Sequence, residues 1–302
     1  MKVFLTGAGG FIGSVVAEKL KGRGFKVSAL ARGEIAEARL RGKNFEIVSG
    51  GLENADVLRR AAAEADAVIH TAFSHHSDDY DEAVKLDRAA IEAFADALQD
   101  TNKPLIVTSS SAVLGDTRGM AADEDHPFDE NSSRRSRGES ERDALRLSSK
   151  GIRSVVIRLP LFVYGRAGSS FVPFLIEQAK SAGAANYIDA GGQRVSALHV
   201  EDAADLYLLA LETSTAKGLY NASAETVSMR ELSEAIARLL DVKAKSITAD
   251  EARRQFGKMF EFLSINNELD AAKARRELGW SPQSYNSVLD DIENGSYRKY
   301  RE

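Results

Sequence analysis

The spacing of three glycines, at positions 7, 10 and 13, constrains the fold of this chain more than any other feature. An apolar run from Val3 to Leu5 leads through Thr6 into them, and an amphipathic stretch, Ser14 to Lys21, follows. That order reads as strand, tight turn and helix. Gly7 permits the sharp turn, Gly10 removes a side chain where a pyrophosphate approaches the backbone, and Gly13 lets the helix pack closely on the strand. The free N–H groups and positive dipole end of the helix start suit an anion. A second apolar stretch at 26–31 returns the chain as a second strand. Gly7, Gly9, Gly10, Phe11, Ile12 and Gly13 are therefore the predicted grip on a dinucleotide diphosphate.

Further strand-like runs sit at 45–48, 66–71, 104–109 and 153–159, with helical patterns between them. In 80–99, Val84, Ala90, Ile91, Phe94 and Leu98 keep one face apolar. Such alternation implies an α/β fold: a Rossmann-type, doubly wound parallel sheet with helices on both faces. Right-handed crossovers then bring the C-terminal strand ends to one edge, where ligands bind. The stretch 115–137 reads as an exposed loop. After residue 160 short strands and helices mix, with helices expected at 201–212, 228–240, 267–277 and 284–293. The expected division is a dinucleotide-binding domain over 1–160, with a later contribution from about 194–215. A smaller, interleaved substrate lobe occupies mainly 161–302.

Composition excludes several classes. The net charge of the 302 residues is −5 and no basic block stands out, which argues against a nucleic-acid partner. No apolar run is long enough to span a membrane and no leader pattern precedes the first strand, so a cytoplasmic location is expected. The absence of cysteine excludes disulfides, thiolate metal sites and a Cys nucleophile. The histidine spacings match no zinc cluster, so no metal is expected.

Several segments together resemble the extended short-chain dehydrogenase/reductase family, the NAD-dependent epimerase/dehydratase type. They are Thr6 to Gly13, Ala67 to Ala72, Val107 to Gly115, Arg158 to Gly165 and Leu198 to Ala204. The resemblance implies that Thr71, Ala72 and Phe73 pass the cofactor after the fourth strand. It implies that Ser109 and Ser110 end the strand bearing the catalytic hydroxyl. Pro160, Leu161 and Phe162 would then line the nicotinamide end. Gly51-Leu52 resembles an Asp-Leu pair on the adenine side, with the Asp missing and Leu52 retained. The family draws its acid from a Tyr with a Lys four residues later; here Arg137 and Glu141 stand at those positions, and no Tyr in the chain has that Lys. This places the chain nearest the atypical subgroups of the family.

Four groups are candidates for the chemistry. Ser110 matches the catalytic hydroxyl and would orient a substrate oxygen. Arg137 could steady an oxyanion, with Glu141 one helical turn along as its partner. His75 or His76, in the loop after the fourth strand, could replace the missing phenol. Arg194, in the second lobe, could meet an anionic part of the substrate. Arg32 stands just beyond the second strand, where an acid would hold a ribose 2′-OH; an arginine there favours NADP, with NAD possible. The expected activity is hydride transfer to or from a small carbonyl or alcohol substrate. The alternatives are a nucleotide-sugar epimerase or dehydratase, and a non-catalytic NAD(P)-binding regulator. The helices at 80–99 and 138–149 are the candidates for a homodimer contact.

Overall fold

Val3 and Leu5 enter one hydrophobic core and Phe4 enters another. The first strand is apolar at successive positions because both its faces are covered. The computed structural model of the chain describes residues 1–74, 79–283 and 286–301. It opens with β1 (Lys2–Thr6), α1 (Phe11–Gly22), β2 (Lys26–Ala31), α2 (Glu34–Arg41), β3 (Glu46–Ser49) and α3 (Ala55–Glu64). Then come β4 (Ala67–His70), α4 (Tyr80–Leu98), β5 (Pro104–Ser110), β6 (Ala121–Ala122), α5 (Arg135–Arg146), β7 (Arg153–Leu159) and β8 (Phe162–Tyr164). The rest runs α6 (Phe171–Ala182), β9 (Ala184–Ile188), β10 (Arg194–His199), α7 (Val200–Glu212), β11 (Gly218–Asn221), β12 (Glu225–Ser228) and α8 (Met229–Leu240). It ends with β13 (Lys243–Ile247), α9 (Ala249–Phe256), α10 (Phe260–Leu263), β14 (Glu268–Leu269), α11 (Ala272–Leu278) and α12 (Val288–Glu293).

Seven strands form one parallel sheet in the order β11-β7-β5-β4-β1-β2-β3. The order reverses between β1 and β4, so a crevice opens beyond their C-terminal ends, where Thr6 pairs with His70. Side chains alternate across the sheet. Val15, Val16 and Leu20 of α1 and Leu206 and Tyr207 of α7 pack with Ile106 and Ile157 on one face. Leu58 of α3, Phe94 of α4 and Ala144 of α5 pack with Leu105, Val107 and Val156 on the other. This is the Rossmann-type sheet expected of the sequence.

The second lobe has its own core, from Phe162, Val172, Ile176, Leu232, Ile236 and Tyr297 among others, beneath a three-stranded sheet β12-β10-β8. The chain passes between the two lobes within the stretch 194–221. Residues 194–199 join this lobe's sheet as β10, paired with β8 and β12. The return to the large sheet is made instead by α7 and by β11, which pairs with β7 beyond residue 215. The helix expected over 267–277 starts only at Ala272, because Glu268 and Leu269 pair with Ala121 and Ala122. That strand lies within the stretch expected to be loop, and α5 begins at Arg135, ahead of 138. Within 284–293 the described helix is Val288–Glu293; positions 284 and 285 lie outside the described residues.

Candidate active site

The turn between β1 and α1 is built as the glycine spacing demands. Gly7 has φ +78°, and a Cβ there would lie 2.6 Å from Thr71 Oγ1 and 2.8 Å from the Ala72 nitrogen. A Cβ at Gly13 would lie 2.1 Å from the Gly7 oxygen. Gly9 and Gly10 are exposed, and nothing comes within 4 Å of a Cβ built on Gly9. Gly10 caps α1 without any side-chain hydrogen bond, and the first turn carries no acid. Phe11 and Ile12 begin the helix, half-buried. The start of α1 is thus an uncapped set of N–H donors facing an open, glycine-walled cradle at the crevice, and it fits a diphosphate. The chain is pinned beside this cradle: the Thr71 hydroxyl donates to the Thr6 oxygen at 2.8 Å, and the Ala72 N–H donates to Thr6 Oγ1 at 3.3 Å.

Beyond β2, Arg32 is exposed just before Gly33, whose φ of +83° starts α2 without a side-chain cap. Leu52 is half-buried against the core under α3 and α4. After β7, Pro160 is buried, and Leu161 and Phe162 belong to the second lobe's core.

A chain of buried polar groups runs along the sheet edge. Thr6 Oγ1 lies 2.6 Å from His70 Nδ1, and His70 Nε2 lies 3.1 Å from Asp87 Oδ1. The arrangement is satisfied when Thr6 donates to Nδ1 and Nε2–H donates to the carboxylate. Ser140 donates to the other Asp87 oxygen at 2.8 Å, and Arg137 closes a buried ion pair with the same atom. Burial pushes the Asp87 carboxyl up, but the Arg137 guanidinium and His70 outweigh it and hold it well below its ordinary 3.8. Arg137 also donates to the Thr108 oxygen at 2.5 Å and lies over the Phe73 ring, 4.6 Å from its centre.

Glu141 does not partner Arg137. It receives Arg158 through two contacts, Nε to Oε2 at 3.0 Å and Nη2 to Oε1 at 2.5 Å, and the Ser109 hydroxyl at 2.6 Å. Both residues at the expected Tyr and Lys positions are therefore buried in separate ion pairs, and Ser109 is engaged in one of them. Ser110 is free of these. Its Oγ accepts the Ala112 N–H at 3.2 Å, which leaves its own proton available. The following turn is held from the second lobe, where Asn267 Nδ2 donates to the Ser111 and Gly115 oxygens, each at 3.0 Å.

Other groups around the cleft are engaged within the fold. Arg194 pairs with Glu268 at 3.4 Å, so its charge is matched within the lobe. His199 accepts the Glu201 N–H to cap α7, stands edge-on to Tyr164, and has its basicity lowered by burial. Phe171 begins α6 with its ring 4.9 Å from Phe162 and 5.9 Å from Phe262. His75 and His76 lie outside the described residues. Among the described residues no group of three or more His, Asp or Glu is arranged to hold a metal.

Two side chains here escaped the sequence reading. Tyr80 opens α4, where Asp79 caps the helix by accepting the Asp81 and Glu82 N–H groups. Its ring lies 5.6 Å from Phe73 and 4.0 Å beneath the Arg134 guanidinium. Burial raises the phenol above its ordinary 10, with Arg137 and Arg134 opposing. Arg134 reads in the sequence as part of a solvated charged run, yet it is half-buried. The only signal for Tyr80 was its place at the start of an amphipathic helix on the binding edge.

Comparison with known proteins agrees with this fold. The model of the NAD dependent epimerase/dehydratase family matches residues 3–223. An uncharacterised protein of Schizosaccharomyces pombe is 38% identical over 298 residues, covering 98% of this chain and 100% of that one. A ketoreductase of Stigmatella aurantiaca that acts on a farnesylated 3-oxo-dihydroquinoline oxide is 27% identical, covering 69% of this chain and 64% of that one. Among solved structures, a dTDP-glucose 4,6-dehydratase variant from Streptomyces venezuelae with bound NAD superposes with a TM-score of 0.79 at 21% identity, covering 100% and 97% of the two chains.

Proposed function

The chain belongs to the NAD dependent epimerase/dehydratase family, and on that premise we propose that it is a reductase of small carbonyl substrates that uses NADP(H) ahead of NAD(H). The observation that carries this reading is the uncapped, glycine-walled start of α1 on the same sheet edge as a serine hydroxyl with a free proton. The kinship to a ketoreductase supports the direction of the reaction. The preference for NADP(H) rests on Arg32, exposed at the end of β2 with no acid at that point of the chain.

When bound, the nicotinamide would supply hydride to the substrate carbon. Gly7, Gly9, Gly10, Phe11, Ile12 and Gly13 would hold the diphosphate, and Arg32 the 2′-phosphate. Ser110 would donate to the substrate oxygen and fix its orientation. Arg137, neutralised by Asp87, cannot release a proton and does not meet an oxyanion as a free charge. Its role is to hold the end of β5 and the Phe73 ring in place. Tyr80 keeps its proton at neutral pH, as a general acid for reduction must, and is the donor we assign.

The test is steady-state reduction of a panel of ketones and aldehydes with NADPH. Ser110→Ala should lower kcat/KM by about a hundredfold, the usual scale for losing one donor to a reacting oxygen, with unchanged NADPH affinity. Tyr80→Phe should lower kcat and remove the alkaline limb of its pH profile. A second reading, a coenzyme-binding regulator without turnover, has one observation in its favour: Arg137 and Glu141 are both engaged in ion pairs. Tight NADPH binding with no turnover across the panel would decide for it.

A further inference from the structure

Two buried arginines at the cleft, and exposed Arg194 in the second lobe, are matched by acids: Arg137 by Asp87, Arg158 by Glu141 and Arg194 by Glu268. Arg134 is not. Its guanidinium lies between two aromatic faces, 4.0 Å from the centre of Tyr80 in the first lobe and 4.9 Å from that of Phe262 in the second. No carboxylate among the described residues comes within ion-pair reach of it. Glu261, the acid adjacent to Phe262, instead accepts the Ser133 hydroxyl. Two stacking rings fix the plane of a guanidinium and leave its N–H edge as the direction of further bonding. The surroundings are apolar: Phe262 meets Phe171, Phe171 meets Phe162, and Tyr80 meets Phe73.

We propose that Arg134 receives the carboxylate of an amphipathic oxo acid, whose apolar body lies along the half-buried side chains of Phe73, Tyr80, Phe171 and Phe262 between the lobes. A half-buried cation without a counter-ion is costly unless an anion completes it. A planar fork suits a carboxylate through two parallel hydrogen bonds. The aromatic walls suit an aryl or alkyl body and leave little to attract a sugar. This inference rests on the reductase reading for the word "substrate", but the binding of an organic carboxylate does not depend on turnover.

The experiment therefore measures binding first. Calorimetry on the full chain with NADPH present would compare 4-oxo-4-phenylbutanoate with its methyl ester. The carboxylate should bind about ten- to a hundredfold tighter, the range for a charge-assisted hydrogen-bonded pair. Arg134→Met should erase that ratio, Arg134→Lys should keep part of it, and Arg135→Met, an exposed neighbour on α5, should leave it intact. Retained NADPH affinity and an unchanged near-ultraviolet spectrum would show that the Met variant folds. Equal binding of acid and ester by the parent protein, or an unchanged ratio in Arg134→Met, would overturn the proposal. Tight, Arg134-dependent acid binding with no reduction of either compound would uphold the anion site and count against the reductase reading alone.

Discussion

Arg137 and Glu141 stand one helical turn apart on α5 and still do not pair. Each finds a buried partner from another element, Asp87 on α4 and Arg158 on β7, because the inner side of α5, which carries both, is packed against these two elements. The two unusual residues were visible in the sequence by their positions. Their partners were not, because side-chain spacing on one helix says nothing about which distant element packs against it. Removing one member of such a pair leaves a bare charge in the interior. Asp87→Asn should therefore cost about 3–5 kcal/mol of folding free energy, while Asp87→Leu with Arg137→Met should recover most of it; urea denaturation measures both. The pH dependence has a definite sign. Asp87 titrates below its unfolded value of 3.8, so its stabilisation is complete above that pH and drains away as pH falls toward the folded value. The acid limb of the stability curve below 3.8 should flatten in the double variant.

The β1–α1 unit separates structure from binding within a few residues. Gly13→Ala would drive a methyl group into the Gly7 oxygen, 2.1 Å away, and should lose both stability, by about 1–3 kcal/mol as overpacking does, and coenzyme affinity. Gly10 has φ −82°, which alanine accepts, and its Cβ would meet only the Gly7 oxygen at 3.2 Å. Gly10→Ala should thus melt near the parent temperature yet bind coenzyme at least about tenfold more weakly, a loss of 1.4 kcal/mol. Thermal melts and NADPH titrations of the two variants check the contrast. This unit was legible because strand, turn and helix are local and each glycine has a steric reason. The segment at 267–277 departs from its helical pattern for the opposite reason. Glu268 and Leu269 pair with Ala121 and Ala122, a contact between distant stretches that no local periodicity encodes.

Across the molecule, alternation of apolar runs foretold the parallel sheet, but not where the chain would come back to it. β11 closes the sheet edge at Gly218–Asn221, after β10 has served the other lobe. The faces of α4 and α5, the candidate dimer helices, carry exposed Lys85, Arg88, Arg142 and Arg146. The only large apolar side chains well exposed among the described residues are Met1, Ile35 and Met120. Sedimentation should accordingly find a particle near the chain mass of 32.8 kDa; a stable dimer would show that charged faces suffice to join two copies. The account as a whole depends on what the open start of α1 holds. Titration of the purified protein with NADPH and NADH, followed by coenzyme fluorescence, tests this directly. One saturable site per chain, with NADPH bound more tightly and Arg32→Ala narrowing the difference, is the expected result; no saturable binding of either coenzyme would contradict it.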